Sequence, residues 1–106
     1  MITPGSPVTC TVANTSYPLS ATNKLIKSLK IQGLVGAHAG VISIGNQAMV
    51  AATGVGVMAQ LRIPTTNLGE KFELTEMDVP NGQNLGDFYV QSSNAGDIVI
   101  FSYVEQ

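Results

Sequence analysis

Charged side chains are scarce in this sequence. It has 106 residues, of which five are Lys or Arg and seven are Asp or Glu, so charged residues make up 11% of the chain, against a usual share of about 25%. The net charge of -2 gives no basic surface for nucleic acid. An isolated monomer needs charge to keep its surface hydrated, so we expect neighbouring molecules to cover part of this one.

The residues that build metal sites and catalytic dyads are nearly absent as well. Cys10 is the only cysteine, which excludes an internal disulfide, argues against a cysteine-based metal site and favours folding in a reducing cytoplasm. His38 is the only histidine and lies in a Gly-Ala loop. A Cys10–His38 dyad is formally available, but a lone cysteine in a strand pattern is more often a small buried apolar residue.

The other candidates for chemistry have simpler explanations. Glu76 and Asp78 are two residues apart but lack the regularly spaced ligands of a calcium loop. Gly54-Val55-Gly56 lies within an alternating strand pattern and lacks the following helix of a nucleotide site, so a bulge or a close backbone approach is favoured. The chain has no Trp and only 6% aromatic residues, which is little for stacking sugars or bases. We predict no catalytic residue, cofactor or metal, and therefore no enzyme.

Long apolar runs are missing too. No run approaches the roughly 18 residues of a membrane helix, so no membrane partner is expected. The first seven residues have neither the basic nor the apolar region of a signal peptide. They contain two prolines and a glycine, and they predict a flexible N-terminal arm at residues 1–7 before a single domain at residues 8–106.

Alternation of apolar and polar residues is the main pattern in that domain. It is clearest from Gly54 to Ile63 and recurs from Leu25 to Ile31, where a strand is favoured over a helix because Leu29 and Ile31 alternate with polar residues. About eight such short segments are separated by Gly, Asn, Pro and Ser turns. The sequence therefore predicts an all-β fold, an antiparallel β-sandwich or a small barrel.

Two residue sets follow from these strands. The expected core consists of the apolar members of the alternating segments, namely Val57, Leu61, Phe72, Leu74, Phe88 and Ile100. The closing strand, residues 97–104, is apolar on both faces, so one face is expected to contact a partner or a second layer. The candidate partner-contact residues are two prolines of the arm and one parity of the closing strand: Pro4, Pro7, Val99, Phe101 and Tyr103.

Three segments together resemble small structural proteins that tailed bacteriophages encode, often beside their capsid genes. The first is Leu25 to Ile31 after Leu19-Ser20-Ala21-Thr22, and the second is Gly40-Val41-Ile42-Ser43-Ile44-Gly45-Asn46. The third runs from Leu68-Gly69-Glu70 through Leu85-Gly86-Asp87-Phe88-Tyr89-Val90 to Ala95-Gly96-Asp97-Ile98-Val99. The resemblance covers about 80 residues.

This resemblance implies a virion protein with a β-sandwich or jelly-roll-like fold. The first expectation is a capsid decoration or cement protein on the capsid surface, after assembly in the host cytoplasm. Its partners would be the major capsid protein and further copies of itself, as a dimer or trimer. The alternatives are a head-fibre, tail or adaptor component of the virion, or a carbohydrate-binding β-module.

Overall fold

The computed structural model describes residues 2–22, 24–33, 40–63, 71–74 and 83–106. These residues contain ten strand segments. A short 3-10 turn at Leu85–Asp87 is the one helical element among these residues. The strands are β1 (Thr3–Pro4), β2 (Val8–Cys10), β3 (Tyr17–Pro18), β4 (Leu25–Gly33), β5 (Gly40–Val50), β6 (Val55–Ile63), β7 (Lys71–Leu74), β8 (Gln83–Asn84), β9 (Tyr89–Ser92) and β10 (Asp97–Glu105).

The strands form two antiparallel sheets that pack against each other. The six-stranded sheet has the order β1-β10-β4-β7, with β2 also paired to β10 and β8 to β4. The four-stranded sheet has the order β3-β9-β5-β6. If β1 and β2 are taken as one interrupted strand and β8 as an accessory, the eight remaining strands follow the order of a jelly roll. The prediction of an all-β sandwich is confirmed.

The core lies between the two sheets and is built from the inward parity of each long strand. In β4, Leu29 and Ile31 are buried on one parity, and Ile26 joins them because the pairing with β10 shifts register between Val104 and Glu105. The facing sheet contributes a further aliphatic set, Ile42, Ile44, Leu61 and Val90, to the same cluster. Leu25 to Ile31 is therefore a strand, as predicted, because side chains that alternate across a pleated strand place one apolar row on one face.

The predicted core is only partly correct. Leu61 and Phe88 are buried, while Phe72 and Leu74 are half-buried and pack against the cluster. Val57 is also only half-buried. Ile100 belongs to the opposite parity of β10 and lies outside the cluster. The error at Ile100 is one of parity, because a shift of one residue exchanges the two faces of a strand.

The hairpin of β5 and β6 contains a bulge next to Gly45. The register shifts after Ile44, so that Gly45 lies opposite Val57. A side chain at Gly45 would run into the carbonyl group of Gly56, and Gly56 itself has a φ of 70°. Only glycine adopts this left-handed conformation readily. The carbonyl group of Gly56 lies against Gly45, which is the kind of close backbone approach predicted for Gly54-Val55-Gly56. Gly45-Asn46 has the composition of a turn, but β5 continues through it to Val50.

The N-terminal segment differs from the expected free arm. Thr3 and Pro4 pair with Tyr103 and Ser102 of β10, and the backbone N–H of Gly5 donates to the carbonyl oxygen of Phe101 at 2.9 Å. A side chain at position 5 would overlap the Phe101 ring. Residues 3–5 are therefore part of the six-stranded sheet and cover one end of the core.

Candidate interaction surface

Strand β10 has one buried and one outward face. Val99, Phe101 and Tyr103 are 0%, 7% and 6% exposed. The Phe101 and Tyr103 rings are stacked within the core, with their centroids 6.2 Å apart. These three residues therefore line the layer between the sheets and do not form a surface that a partner can contact. This corrects their selection as partner-contact residues in favour of the alternative of a second layer, and the physical reason is the parity of the strand.

The outward parity of β10 consists of Ile98, Ile100, Ser102 and Val104, all of them partly exposed. Ser102 pairs with Pro4, so Pro4 continues this surface into the N-terminal segment, and Ile2 beyond it is 71% exposed. The five apolar members form a surface that we call the β10 face: Ile2, Pro4, Ile98, Ile100 and Val104. A sheet face that is apolar on its outer side is a candidate for an interaction with another molecule.

Polar side chains divide this surface into two shallow depressions. The first, of about 360 Å³, lies between Ile2, Val104 and Glu73, and the second, of about 320 Å³, lies between Pro4, Ile100 and Gln32. Lys30 and Ser102 line both depressions and are direct cross-strand neighbours. The β10 face thus offers two apolar recesses on either side of a polar pair.

The two prolines of the predicted contact set are both exposed. Pro4 belongs to the β10 face, as described above. Pro7 lies between β1 and β2 and takes part in neither strand. The sequence missed Ile2, Ile98, Ile100 and Val104 as surface residues. Ser102 has the same parity in β10 as Ile98, Ile100 and Val104. It is the polar residue that identifies this parity as the outward one.

Cys10 lies in a buried polar cluster. The Ser92 hydroxyl donates a hydrogen bond of 2.6 Å to the Asp97 carboxylate, and the backbone N–H of Asn94 donates to Ser92 Oγ. Burial, and to a smaller extent the negative charge of Asp97, raise the pKa of the Cys10 thiol from 9.0 to about 11. Since the thiolate is the reactive form, this thiol is a poor nucleophile at neutral pH. The hydrogen bonds tie the turn before β10 to β9.

A second polar group lies at the C-terminal end of β10. The Lys24 amino group donates a hydrogen bond of 3.1 Å to the Tyr103 hydroxyl and lies 3.7 Å from the Glu105 carboxylate. The hydrogen bond to Tyr103, followed by the Coulombic interaction with that hydroxyl, raises the pKa of Lys24. The ring of Tyr103 is buried while its hydroxyl reaches this exposed lysine, so the group anchors the strand end and presents no free catalytic base.

The outer face of the four-stranded sheet has uncharged polar side chains beside apolar ones, of which Val41 is 37% exposed. The Gln91 amide is buried and donates to Ser16 Oγ at 3.1 Å, and Gln60 donates to Ser43 Oγ at 3.1 Å. Gln91, Gln60 and Ser43 line a cleft of about 320 Å³ whose lining side chains are all uncharged. Gln91 thereby connects β9 to the segment before β3, and Gln60 connects β6 to β5.

Several candidates from the sequence lie outside the described residues, namely His38, Glu76 and Asp78. Among the residues that the structure does describe, no three His, Cys, Asp or Glu side chains come close enough together to hold a metal ion. No helix in that part of the chain is both long and apolar enough to cross a membrane.

Comparisons with known proteins add no relative to this description. No family model, no curated protein and no solved structure matches the chain.

Proposed function

We propose that this chain is a non-enzymatic structural protein of a bacteriophage virion, which binds the assembled capsid and stabilises it as a decoration or cement protein. The observation that carries the proposal is the β10 face. Apolar side chains on the outer side of a sheet are a candidate contact for another molecule. The resemblance to phage structural proteins suggests which partner would cover it, the major capsid protein.

The chemistry of the β10 face defines the kind of contact. Its apolar residues gain roughly 25 cal/mol for each Å² removed from water. Lys30 and Glu73 are the charged side chains lining its two depressions, and they have opposite signs. Since exposed charge pairs are screened by salt and apolar contacts are not, the affinity for the capsid depends only weakly on ionic strength.

Stabilisation follows from selective binding. A cement protein that spans neighbouring coat subunits binds the assembled shell and not the free subunit. Each occupied site then stabilises the shell by RT ln(1 + [L]/Kd), which is about 2.7 kcal/mol at a concentration of one hundred times Kd. Decorated shells therefore withstand heat better than bare shells.

Cosedimentation with shells of the major capsid protein encoded in the same genome tests the proposal. The wild-type chain pellets with assembled shells and does not bind unassembled coat protein. Ile100→Lys, which introduces a charge into the β10 face, loses binding. Val12→Lys makes the same change in charge at a side chain that is 56% exposed and lies outside the β10 face, and it binds as the wild type does.

Failure of the wild-type chain to bind shells rejects the cement function. Antibody labelling of virions in the electron microscope then distinguishes a fibre or tail component, which labels a defined part of the particle, from a glycan-binding module, which labels none. Equal loss of binding in Ile100→Lys and Val12→Lys rejects the β10 face as the contact.

A further inference from the structure

The tip of the β5–β6 hairpin lies back over the outer face of its own sheet. If β5 continued straight, Met49 would be about 20 Å along the strand from Ser43. Gln91 is the direct neighbour of Ser43 in β9, yet its amide nitrogen donates to the carbonyl oxygen of Met49 at 3.5 Å. Further along the tip, Ala51 lines the same cleft as Val41. The hairpin therefore reverses its direction between Ser43 and Met49.

The side chain of Met49 packs on the outer face and not in the core. It is 5% exposed, but it does not belong to the cluster between the two sheets. A side chain at Gly45 would meet the Met49 sulfur atom. Gly45 has the same parity as Ser43 in the unbroken register with β9, whereas Ile42 and Ile44 of the other parity are in the core. Met49 thus covers the outer parity of β5.

The reversal occurs at a large bulge between β5 and β6. After Gly45 the next pair in the register is Val50 with Val55, so residues 46–49 of β5 have Gly56 alone opposite them. Extra residues in one strand bend that strand. The carbonyl group of Gly56 fills the position that a side chain at Gly45 would take, and Gly56 has a φ of 70°. The two glycines therefore cross at the point where the hairpin bends.

The tip beyond this crossing has few attachments to the sheet. We call residues 46–55 the lid, and Met49 is the one buried residue in it. The turn of the lid is closed by its own hydrogen bonds, such as that from the Gly54 N–H to the Val50 carbonyl oxygen at 2.9 Å. The bond from Gln91 to the lid is long at 3.5 Å, against a usual length of about 2.9–3.0 Å. Segments with few buried apolar contacts open locally at a low free energy.

The lid covers a row of uncharged polar side chains. Gln91, Ser43 and Gln60 are direct neighbours across β9, β5 and β6. Gln91 and Ser43 are only 3% and 2% exposed, although both belong to the outer parity of their strands. Ala51 of the lid and all three residues of the row line one cleft. Opening of the lid therefore exposes amide and hydroxyl groups that the closed form keeps from solvent.

We propose that residues 46–55 form a lid that opens as a unit about the crossing of Gly45 and Gly56, without unfolding of the two sheets, and uncovers the row of Gln91, Ser43 and Gln60. The four-stranded sheet then has two outer surfaces in equilibrium, one closed and one open. The lid lies on that sheet, whereas the β10 face lies on the six-stranded sheet, so the proposal does not depend on the proposed function.

Oxidation of the methionines by hydrogen peroxide, followed by mass spectrometry of peptides, measures the opening. Met58 is 53% exposed and oxidises at the rate of an accessible thioether in the same chain. Met49 oxidises more slowly, in proportion to the fraction of molecules in which the lid is open. About 1 M urea raises the globally unfolded fraction at least about fivefold. It raises the Met49 rate less than about twofold, because the lid contains about a tenth of the chain and the effect of urea scales with the surface exposed.

Two results of this experiment overturn the proposal. A Met49 rate equal to that of Met58 means that the lid is not closed in solution. A Met49 rate that rises with urea as steeply as the globally unfolded fraction means that the lid opens only when the whole chain unfolds.

A pair of glycine substitutions tests the position of the hinge. Gly45→Ala places a methyl group against the Met49 sulfur atom and the backbone that crosses it, so the lid is displaced and Met49 oxidises nearly as fast as Met58. Gly5→Ala places the same methyl group against the Phe101 ring of the other sheet, and the Met49 rate stays at the wild-type value. An equal increase in the two variants overturns the proposal, because it attributes the effect to general loss of stability.

A second pair tests the attachment of the lid and leaves the hinge intact. Gln91→Leu removes the amide that donates to the Met49 carbonyl oxygen, and it raises the Met49 oxidation rate about two- to tenfold, the range that one hydrogen bond supports. Gln60→Leu removes an amide that donates to Ser43 within the sheet, and it leaves the rate unchanged. A Met49 rate that stays at the wild-type value in Gln91→Leu overturns the proposal.

Discussion

Alanine substitutions at adjacent positions of β10 measure directly which face of the strand is buried. Phe101 is 7% exposed and contributes its ring to the core, whereas Ile100 points outward. Removing a core aromatic side chain costs about 3–5 kcal/mol. Removing the partly exposed Ile100 costs about 1 kcal/mol, close to the full range of intrinsic strand propensity.

Urea denaturation separates these two outcomes. Thermal unfolding gives a second measure, because each kcal/mol lost by a domain of about 100 residues lowers Tm by roughly 4–8 °C. The loss of at least about 3 kcal/mol in Phe101→Ala therefore lowers Tm by at least about 12 °C. Both variants retain the wild-type dependence of the unfolding free energy on urea, because neither changes the surface exposed on unfolding by much. A loss of stability in Ile100→Ala equal to or greater than that in Phe101→Ala refutes the assignment of the two faces.

Two further predictions concern residues that pack against β10. The pKa of Cys10 is raised from 9.0 to about 11 in the folded chain, so the unfolded chain loses this proton first. The contribution of the thiol to stability is therefore complete below pH 9 and falls by about 1.4 kcal/mol per pH unit between pH 9 and 11. Cys10→Ala lacks this additional slope in urea titrations, and an identical pH dependence in both chains contradicts the burial of the thiol. Gly5→Ala lowers Tm because the new methyl group meets the Phe101 ring, whereas Ser6→Ala at the exposed neighbouring position does not; equal Tm values for the two variants contradict the packing of the N-terminal segment.

The alternation of side chains was sufficient to predict the fold class. Strands β4, β6 and β10 were identified because each has a row of apolar residues at a spacing of two, and the turns between them contain Gly, Asn and Pro. The pairing order of the strands was not predictable from the chain, because register and sheet order depend on contacts between residues far apart in sequence. The jelly-roll order could be read only from the structure.

The two faces of β10 illustrate why the interaction surface was harder to predict. Both parities are apolar, so periodicity alone does not distinguish the core face from the outer face. The aromatic rings of Phe101 and Tyr103 fill the core, and Ser102 marks the outer parity. The N-terminal segment was missed for a related reason. Pro4 and Gly5 are typical of a flexible arm, but Gly5 is needed here because the chain passes directly over the Phe101 ring.

The long hairpin of β5 and β6 was also only partly predicted. Gly45 and Asn46 have the composition of a turn, yet the structure continues the strand through a bulge that Gly45 and Gly56 make possible. Local composition does not distinguish a turn from a bulge, since both require glycine where the backbone approaches closely. The exposed edge of β6 depends on its position in the sheet, which the sequence alone does not reveal.

Electron cryomicroscopy of capsid shells incubated with the wild-type chain tests the central claim most directly. At a resolution that distinguishes the two sheets, the account predicts density for the sandwich at the junctions between neighbouring coat subunits. The six-stranded sheet lies against the shell, and Ile98, Ile100 and Val104 are at the contact. Shells that bear no additional density, or that contact the chain through the four-stranded sheet with the β10 face exposed to solvent, contradict it.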